Sequence, residues 1–129
     1  MRSFAFTGTQ LNRDYQAAVH VDADSTGSPY IIGLGAYTGG ELCHYDEKGD
    51  AEVTVERKMI GWSHAEGTAL KGKLYNVHER WLPFDGLRPH AAMPFKSTRI
   101  SLVYFTSRHA GKMPEFCRRK LTSDGFVLP

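Results

Sequence analysis

A chain of 129 residues can bury one hydrophobic core and is too short for two, so residues 1–129 read as a single domain. Its 41% hydrophobic and 23% charged residues are those of an ordinary soluble globular protein. Sixteen Lys+Arg against fourteen Asp+Glu leave a net charge of +2, too small to argue by itself for a polyanionic partner.

Cys43 and Cys117 form neither a disulfide framework nor a metal-spaced pair. They suit a reducing compartment, with a single disulfide as the alternative. No apolar run approaches the ~20 residues of a membrane span. Met1-Arg2-Ser3 leads into Phe4-Ala5-Phe6 without a signal-peptide pattern. The expectation is a soluble intracellular domain with no membrane partner.

Glycines and prolines are scattered along the chain with short β-branched and aromatic runs between them, which is the punctuation of an all-β fold. Residues 4–11 alternate loosely as a first strand, and Asn12-Arg13-Asp14 would turn the chain into a second over residues 15–22. Residues 24–29 carry loop chemistry. Residues 30–37 form an apolar run read as a buried strand. Thr38-Gly39-Gly40 is expected to be a tight turn before a strand over 41–45, and residues 46–50 a polar hairpin tip. Residues 52–56 alternate as a strand, 57–72 are loop or a short strand pair, and 73–78 and 80–84 alternate again before an Asp85-Gly86 turn. Residues 98–106 are the strongest strand of the sequence. After Lys112 the pattern changes to a short helix over 113–121, with Pro114 near its start and Ser123-Asp124-Gly125 as its stop, and residues 126–129 pack back. Short strands with one terminal helix predict a sandwich or barrel. A double-stranded β-helix (jelly-roll, cupin-like) is the form that brings the end of an early strand beside the start of a late one.

The chemistry gathers on that juxtaposition. Side chains at i and i+2 of a strand face the same side, so His20 and Asp22 converge while Val19 and Val21 turn away. Alone, His-x-Asp is most often an exposed strand end. An imidazole and a carboxylate so placed are also two thirds of a 2-His-1-carboxylate site, the set that holds non-haem Fe(II). Of the other histidines, His90 stands out at the head of Arg-Pro-His-Ala-Ala-Met-Pro-Phe, just before the strongest strand. In that strand Arg99, Ser101 and Val103 would share the inward face. A guanidinium and a hydroxyl inside a barrel call for an ionised partner, and a carboxylate matches the guanidinium fork.

The order His20-x-Asp22, His90, Arg99-x-Ser101 resembles the Fe(II)/2-oxoglutarate-dependent dioxygenase superfamily. Leu11-Asn12 with Tyr15, Ser28-Pro29, Gly39-Gly40-Glu41-Leu42, Phe84-Asp85-Gly86, Met93-Pro94-Phe95 and the closing Gly125 to Pro129 extend the likeness to a microbial and algal branch. The resemblance implies that His20, Asp22 and His90 bind Fe(II) as catalytic metal ligands. It implies that Arg99 and Ser101 hold the far carboxylate of 2-oxoglutarate. O2 is then the co-substrate, ascorbate a candidate reductant, and succinate and CO2 the products. The sequence departs from that family in two places. The helices that buttress the major sheet have no counterpart ahead of the motif, which implies a minimal or N-terminally truncated member. Ser97-Thr98 stand before Arg99 where a glycine is expected near the turn.

The substrate hydroxylated is left open between a protein side chain, a nucleobase and a small molecule. A nucleobase enzyme needs a pocket for an extruded base and a basic groove. Arg108, Lys112, Arg118, Arg119 and Lys120 are the one hint of the latter and read first as a solvated helix face. A second reading is a non-catalytic metal- or ligand-binding jelly-roll module, and a third a cupin-like metalloenzyme without 2-oxoglutarate. His44 and His78 read as surface or cross-strand residues and His64 and His109 as loop residues. Tyr15, Tyr30, Tyr37, Tyr104, Trp62 and Trp81 read first as packing.

Overall fold

The computed structural model describes residues 5–128; Met1 to Phe4 and Pro129 lie outside the described residues, and with them the start of the expected first strand. Among the described residues are ten strands, one 3-10 turn (Ala110–Lys112) and one α-helix: β1 Gly8–Arg13, β2 Ser25–Leu34, β3 Thr38–Gly39, β4 Leu42–Tyr45, β5 Ala51–Thr54, β6 Ala69–Tyr75, β7 Leu82–Pro83, β8 His90–Ala92, β9 Phe95–Lys96, β10 Ile100–Ser107 and α1 Glu115–Ser123. The strands form two four-stranded sheets, β1-β10-β2-β7 and β5-β6-β4-β8, and a two-stranded ladder β3-β9. Every named pair is antiparallel. The expected all-β chain with one short C-terminal helix is therefore found. No helix among the described residues is long and apolar enough to cross a membrane. Both cysteines are free thiols, Cys43 buried and Cys117 half-buried.

Period-two alternation explains how the sheets pack. Ile31, Leu82 and Val103 from the first sheet meet Leu42 and Tyr75 from the second, with Val77 and Phe84, in one apolar cluster. Leu42 and Tyr75 are direct cross-strand partners, so they share that face. A second cluster joins Val53 and Leu70, also cross-strand partners, to Val55, Ala91, Met59, Trp62, Val19 and Val21. The loop after β5 and the segment before β2 thus cover the other face of the second sheet.

Several boundaries differ from the expectation. Residues 15–22 are not a regular strand: only His20 joins a ladder, as an isolated antiparallel bridge to His90. The side-chain alternation survives, because Val19 and Val21 enter the second cluster while His20 and Asp22 converge with His90. Asn12 and Arg13 belong to β1, and the reversal falls at Asp14, whose φ is +50°. β2 begins at Ser25, inside the expected loop, because Ser25 and Thr26 pair with Ser107 and Thr106 of β10 across a register shift. Thr38 and Gly39, expected as a turn, pair with Lys96 and Phe95. β6 starts at Ala69, inside the segment left as loop or strand pair. The strongest strand runs Ile100–Ser107, so Arg99 sits just ahead of it.

The helix spans Glu115–Ser123 and buries none of its residues; Phe116 is 75% exposed. The terminal segment does pack back, with Val127 accepting a hydrogen bond from Phe6 N–H and Phe126 meeting the Phe6 ring.

Candidate metal centre

His20 and His90 exchange both backbone hydrogen bonds at 3.0 Å, which sets their side chains side by side with ring centroids 4.3 Å apart. Asp22 is fixed by its own N–H, which donates to Gly86 O at 2.7 Å. The result is one convergent set: His20 Nε2 lies 3.3 Å from Asp22 Oδ1, and His90 Nε2 lies 3.3 Å from Asp22 Oδ2. The ligand atoms of all three lie within 4.8 Å of one another.

The protonation pattern decides what this set can hold. His20 Nδ1 lies 2.7 Å from Ala18 O, and His90 Nδ1 lies 2.8 Å from Arg88 O. A carbonyl oxygen only accepts, so each Nδ1 carries the proton and each neutral imidazole turns a bare Nε2 lone pair to the carboxylate. Three acceptors facing one point repel unless a cation lies between them, either a proton or a metal ion. Adjacent donors around a first-row ion with bonds of about 2.1 Å stand about 3 Å apart, which the 3.3 Å spacings approach. His20, Asp22 and His90 could therefore hold a metal ion.

Without metal, the Asp22 carboxylate favours a proton on His20. The hydrogen bond to Asp22 raises His20 above its ordinary value of 6.5, against the opposing effect of burial. Burial works to raise the Asp22 carboxyl. The hydrogen bonds and charges of His20 and His90 outweigh it and hold the group well below the usual carboxylate range.

Arg99 and Ser101 line the same cavity of about 780 Å³ as the three donors. That volume lies in the range of small-molecule and cofactor sites. Arg99 is 3% exposed, and its Nε has no hydrogen-bond partner. Its Nη2 donates to Gly40 O at 3.1 Å, and its guanidinium lies over the rings of Tyr37 and Phe95, 5.3 and 5.6 Å from their centroids. Gly40 has φ +68°, and a Cβ there would stand 2.7 Å from Arg99 Nε, so the guanidinium needs a glycine beside it. Asp14 clamps only the Arg99 backbone, accepting its N–H at 2.7 Å and donating to its carbonyl at 2.8 Å. Among the described residues no carboxylate pairs with the Arg99 side chain. Ser101 is 3% exposed, and its hydroxyl accepts from Asn12 Nδ2 at 3.4 Å.

The five residues singled out in sequence thus share one cavity, and the remaining histidines stay outside the three-donor set. His44 Nε2 donates to Asp85 O, His78 Nε2 donates to Gly35 O, and His109 accepts from Arg108 Nε. His64 packs among Tyr45 and Trp62 with its Nδ1 buried and unpartnered. Of the basic group, Arg119 and Lys120 pair with Glu115 and Asp124 on the helix itself, and Arg108 pairs with Asp24. Sequence reading passed over the role of Tyr37 as a platform for Arg99, and of Met59 and Ile60 as cavity wall. Comparison with known proteins returns no match: no family model, no curated protein and no solved structure corresponds to this chain.

Proposed function

We propose that the chain is an Fe(II)- and 2-oxoglutarate-dependent oxygenase on a double-stranded β-helix, hydroxylating a substrate still to be identified among protein side chains, nucleobases and small molecules. The observation that carries this reading is Arg99, a buried guanidinium without a counter-carboxylate in the same cavity as a three-donor set. Burying an unpaired charge is costly, so the site favours an anionic ligand that restores the balance.

His20, Asp22 and His90 would hold the iron and leave its remaining positions facing the cavity. Iron with bound 2-oxoglutarate supplies the oxidising power, O2 being consumed and succinate and CO2 released. The protein's own residues bind and orient. Arg99 would grip the distal carboxylate, held in plane by Tyr37, Phe95 and Gly40 O, and Ser101 would present its O–H to the same group. Asn12 fixes that hydroxyl from β1. A metal-binding jelly-roll module or cupin-like enzyme that takes up no anionic ligand would leave the buried Arg99 without a counter-charge.

Succinate released from 2-oxoglutarate by the Fe(II)-loaded protein in air tests the proposal, with peptides, oligonucleotides and small acids offered as substrates. Release that depends on iron and disappears in His90→Ala is expected. A folded, iron-binding protein that releases none with any substrate class contradicts it.

A further inference from the structure

The short turn between β7 and β8 contacts the three-donor set from one side and, from the other, the side chains of Trp62 and of His44, which is also the register partner of His90 in the β4–β8 ladder. Each of four consecutive carbonyls, residues 85–88, accepts a hydrogen bond, those of 85, 86 and 87 from distant parts of the chain and that of 88 from His90 two residues on. Gly86 O takes Asp22 N–H at 2.7 Å, and Arg88 O takes His90 Nδ1–H at 2.8 Å. Asp85 O takes His44 Nε2–H at 3.0 Å, and Leu87 O takes Trp62 Nε1–H at 3.1 Å. Two of the bonds orient candidate metal ligands. The other two come from residues that touch no ligand atom of the set.

The turn also bears directly on the carboxylate. Gly86 is buried, and a Cβ on it would stand 3.0 Å from Asp22 Oδ2 and 3.3 Å from Pro29 Cγ. Any shift of the turn toward the cavity therefore moves Asp22. Its C-terminal end is anchored to Tyr45, whose N–H donates to Pro89 O and whose carbonyl accepts from Arg88 Nη2. Its N-terminal end and middle have local bonds from Leu87 N–H to Asp85 Oδ1 and Arg88 N–H to Asp85 O, together with the tethers from His44 and Trp62. His44 brings β4 to the turn. Trp62 brings the loop whose Met59 and Ile60 form part of the cavity wall.

We propose that His44 and Trp62 are positioning residues of the metal centre, acting through the carbonyls of residues 85–88 on Asp22 and His90. This rests on the reading of His20, Asp22 and His90 as metal ligands. Partners bonded directly to metal ligands change metal affinity by about 10- to 100-fold when removed; His44 and Trp62 hold the neighbouring carbonyls of residues 85 and 87 one bond further out, which places their expected effect at the low end of that range.

The test compares wild type with His44→Phe, His44→Gln and Trp62→Phe by two readouts. One is Co(II) affinity with the visible spectrum of the bound ion. The other is hydrogen exchange of the Asp22 amide in metal-free protein. His44→Phe and Trp62→Phe are expected to weaken Co(II) about 10-fold each, to alter the Co(II) spectrum and to speed Asp22 exchange. His44→Gln, whose amide can still donate to Asp85 O, is expected to restore all three. Unchanged affinity, spectrum and exchange in both Phe variants overturns the proposal, as does failure of Gln to rescue. If His44→Phe does not fold, Trp62→Phe carries the same comparison. If wild type binds no Co(II), the metal reading fails, while Asp22 exchange still decides whether the turn positions that residue.

Discussion

His20 and His90, from opposite halves of the chain, each donate a backbone N–H to the other's carbonyl at 3.0 Å. This isolated bridge brings the end of an early segment beside the start of a late strand. Each ring is then fixed the same way, Nδ1 to the carbonyl two residues earlier, so two Nε2 lone pairs meet the two oxygens of Asp22.

Asp22→Asn separates the two consequences of that arrangement. An Asn amide can donate to a bare Nε2, so the metal-free variant should keep its fold, with a midpoint below that of wild type between about pH 4 and 6.5 and approaching it as pH rises above that window. Metal at 100 times its Kd should stabilise wild type by about 2.7 kcal/mol. Thermal melts with and without Co(II) should show that gain in wild type and none in the variant. An equal gain in both would move the metal elsewhere.

The cluster also fixes how stability depends on pH in metal-free protein. Asp22 has a lowered folded pKa, so its contribution is present above the ordinary value of 3.8 and is lost as pH falls through the folded value. His20 has a raised one, so its contribution is full below 6.5 and is lost as pH rises through the folded value. The contribution should therefore be greatest between about pH 4 and 6.5 and decline above it. Saturating metal, which replaces the proton, should remove the alkaline decline. Denaturant midpoints across pH 4–9 check this, and a metal-free contribution that rises steadily through pH 8 would oppose it.

Ser97 has φ +74°, a region that costs a residue with a Cβ roughly 1 kcal/mol. It is one of the two residues, Ser97-Thr98, beside which the family resemblance implies a glycine near the turn, and its backbone adopts the conformation glycine favours. Ser97→Gly should stabilise the protein by about 1 kcal/mol and raise Tm by a few degrees. A fall in Tm would show that the Ser97 side chain makes up the cost.

Arg99→Met replaces a buried charge by an apolar chain of similar length. Stability should change little, because no carboxylate among the described residues pairs with the guanidinium and what is lost is the bond to Gly40 O and the contacts with Tyr37 and Phe95. The 2-oxoglutarate needed for half-saturation should rise at least ~30-fold. A loss of several kcal/mol in stability with unchanged 2-oxoglutarate binding would make Arg99 a structural residue.

The five residues of the cavity were legible in sequence because their chemistry is unusual for the positions they hold. Arg99 and Ser101 stand at i and i+2 where an inward face requires apolar residues, and His20 and Asp22 interrupt a valine pattern. The irregularity of residues 15–22 was not legible. Alternation marks which way side chains point, and those side chains do alternate, but regular pairing depends on backbone partners far away in sequence. The β2 start at Ser25 escaped for the same reason, since its partners Thr106 and Ser107 lie beyond a register shift. The tethers from His44 and Trp62 leave no trace at all, because a backbone carbonyl accepts equally well from any donor the fold brings to it.

The central claim is that one cavity holds both iron and 2-oxoglutarate. Anaerobic titration of Fe(II)-loaded protein with 2-oxoglutarate, followed by visible absorption, tests it most directly. The expected result is a weak charge-transfer band from the chelate, lost in His90→Ala and requiring far more 2-oxoglutarate in Arg99→Ala. A folded, iron-loaded wild type that develops no band would contradict the claim and leave a metal- or ligand-binding module in its place.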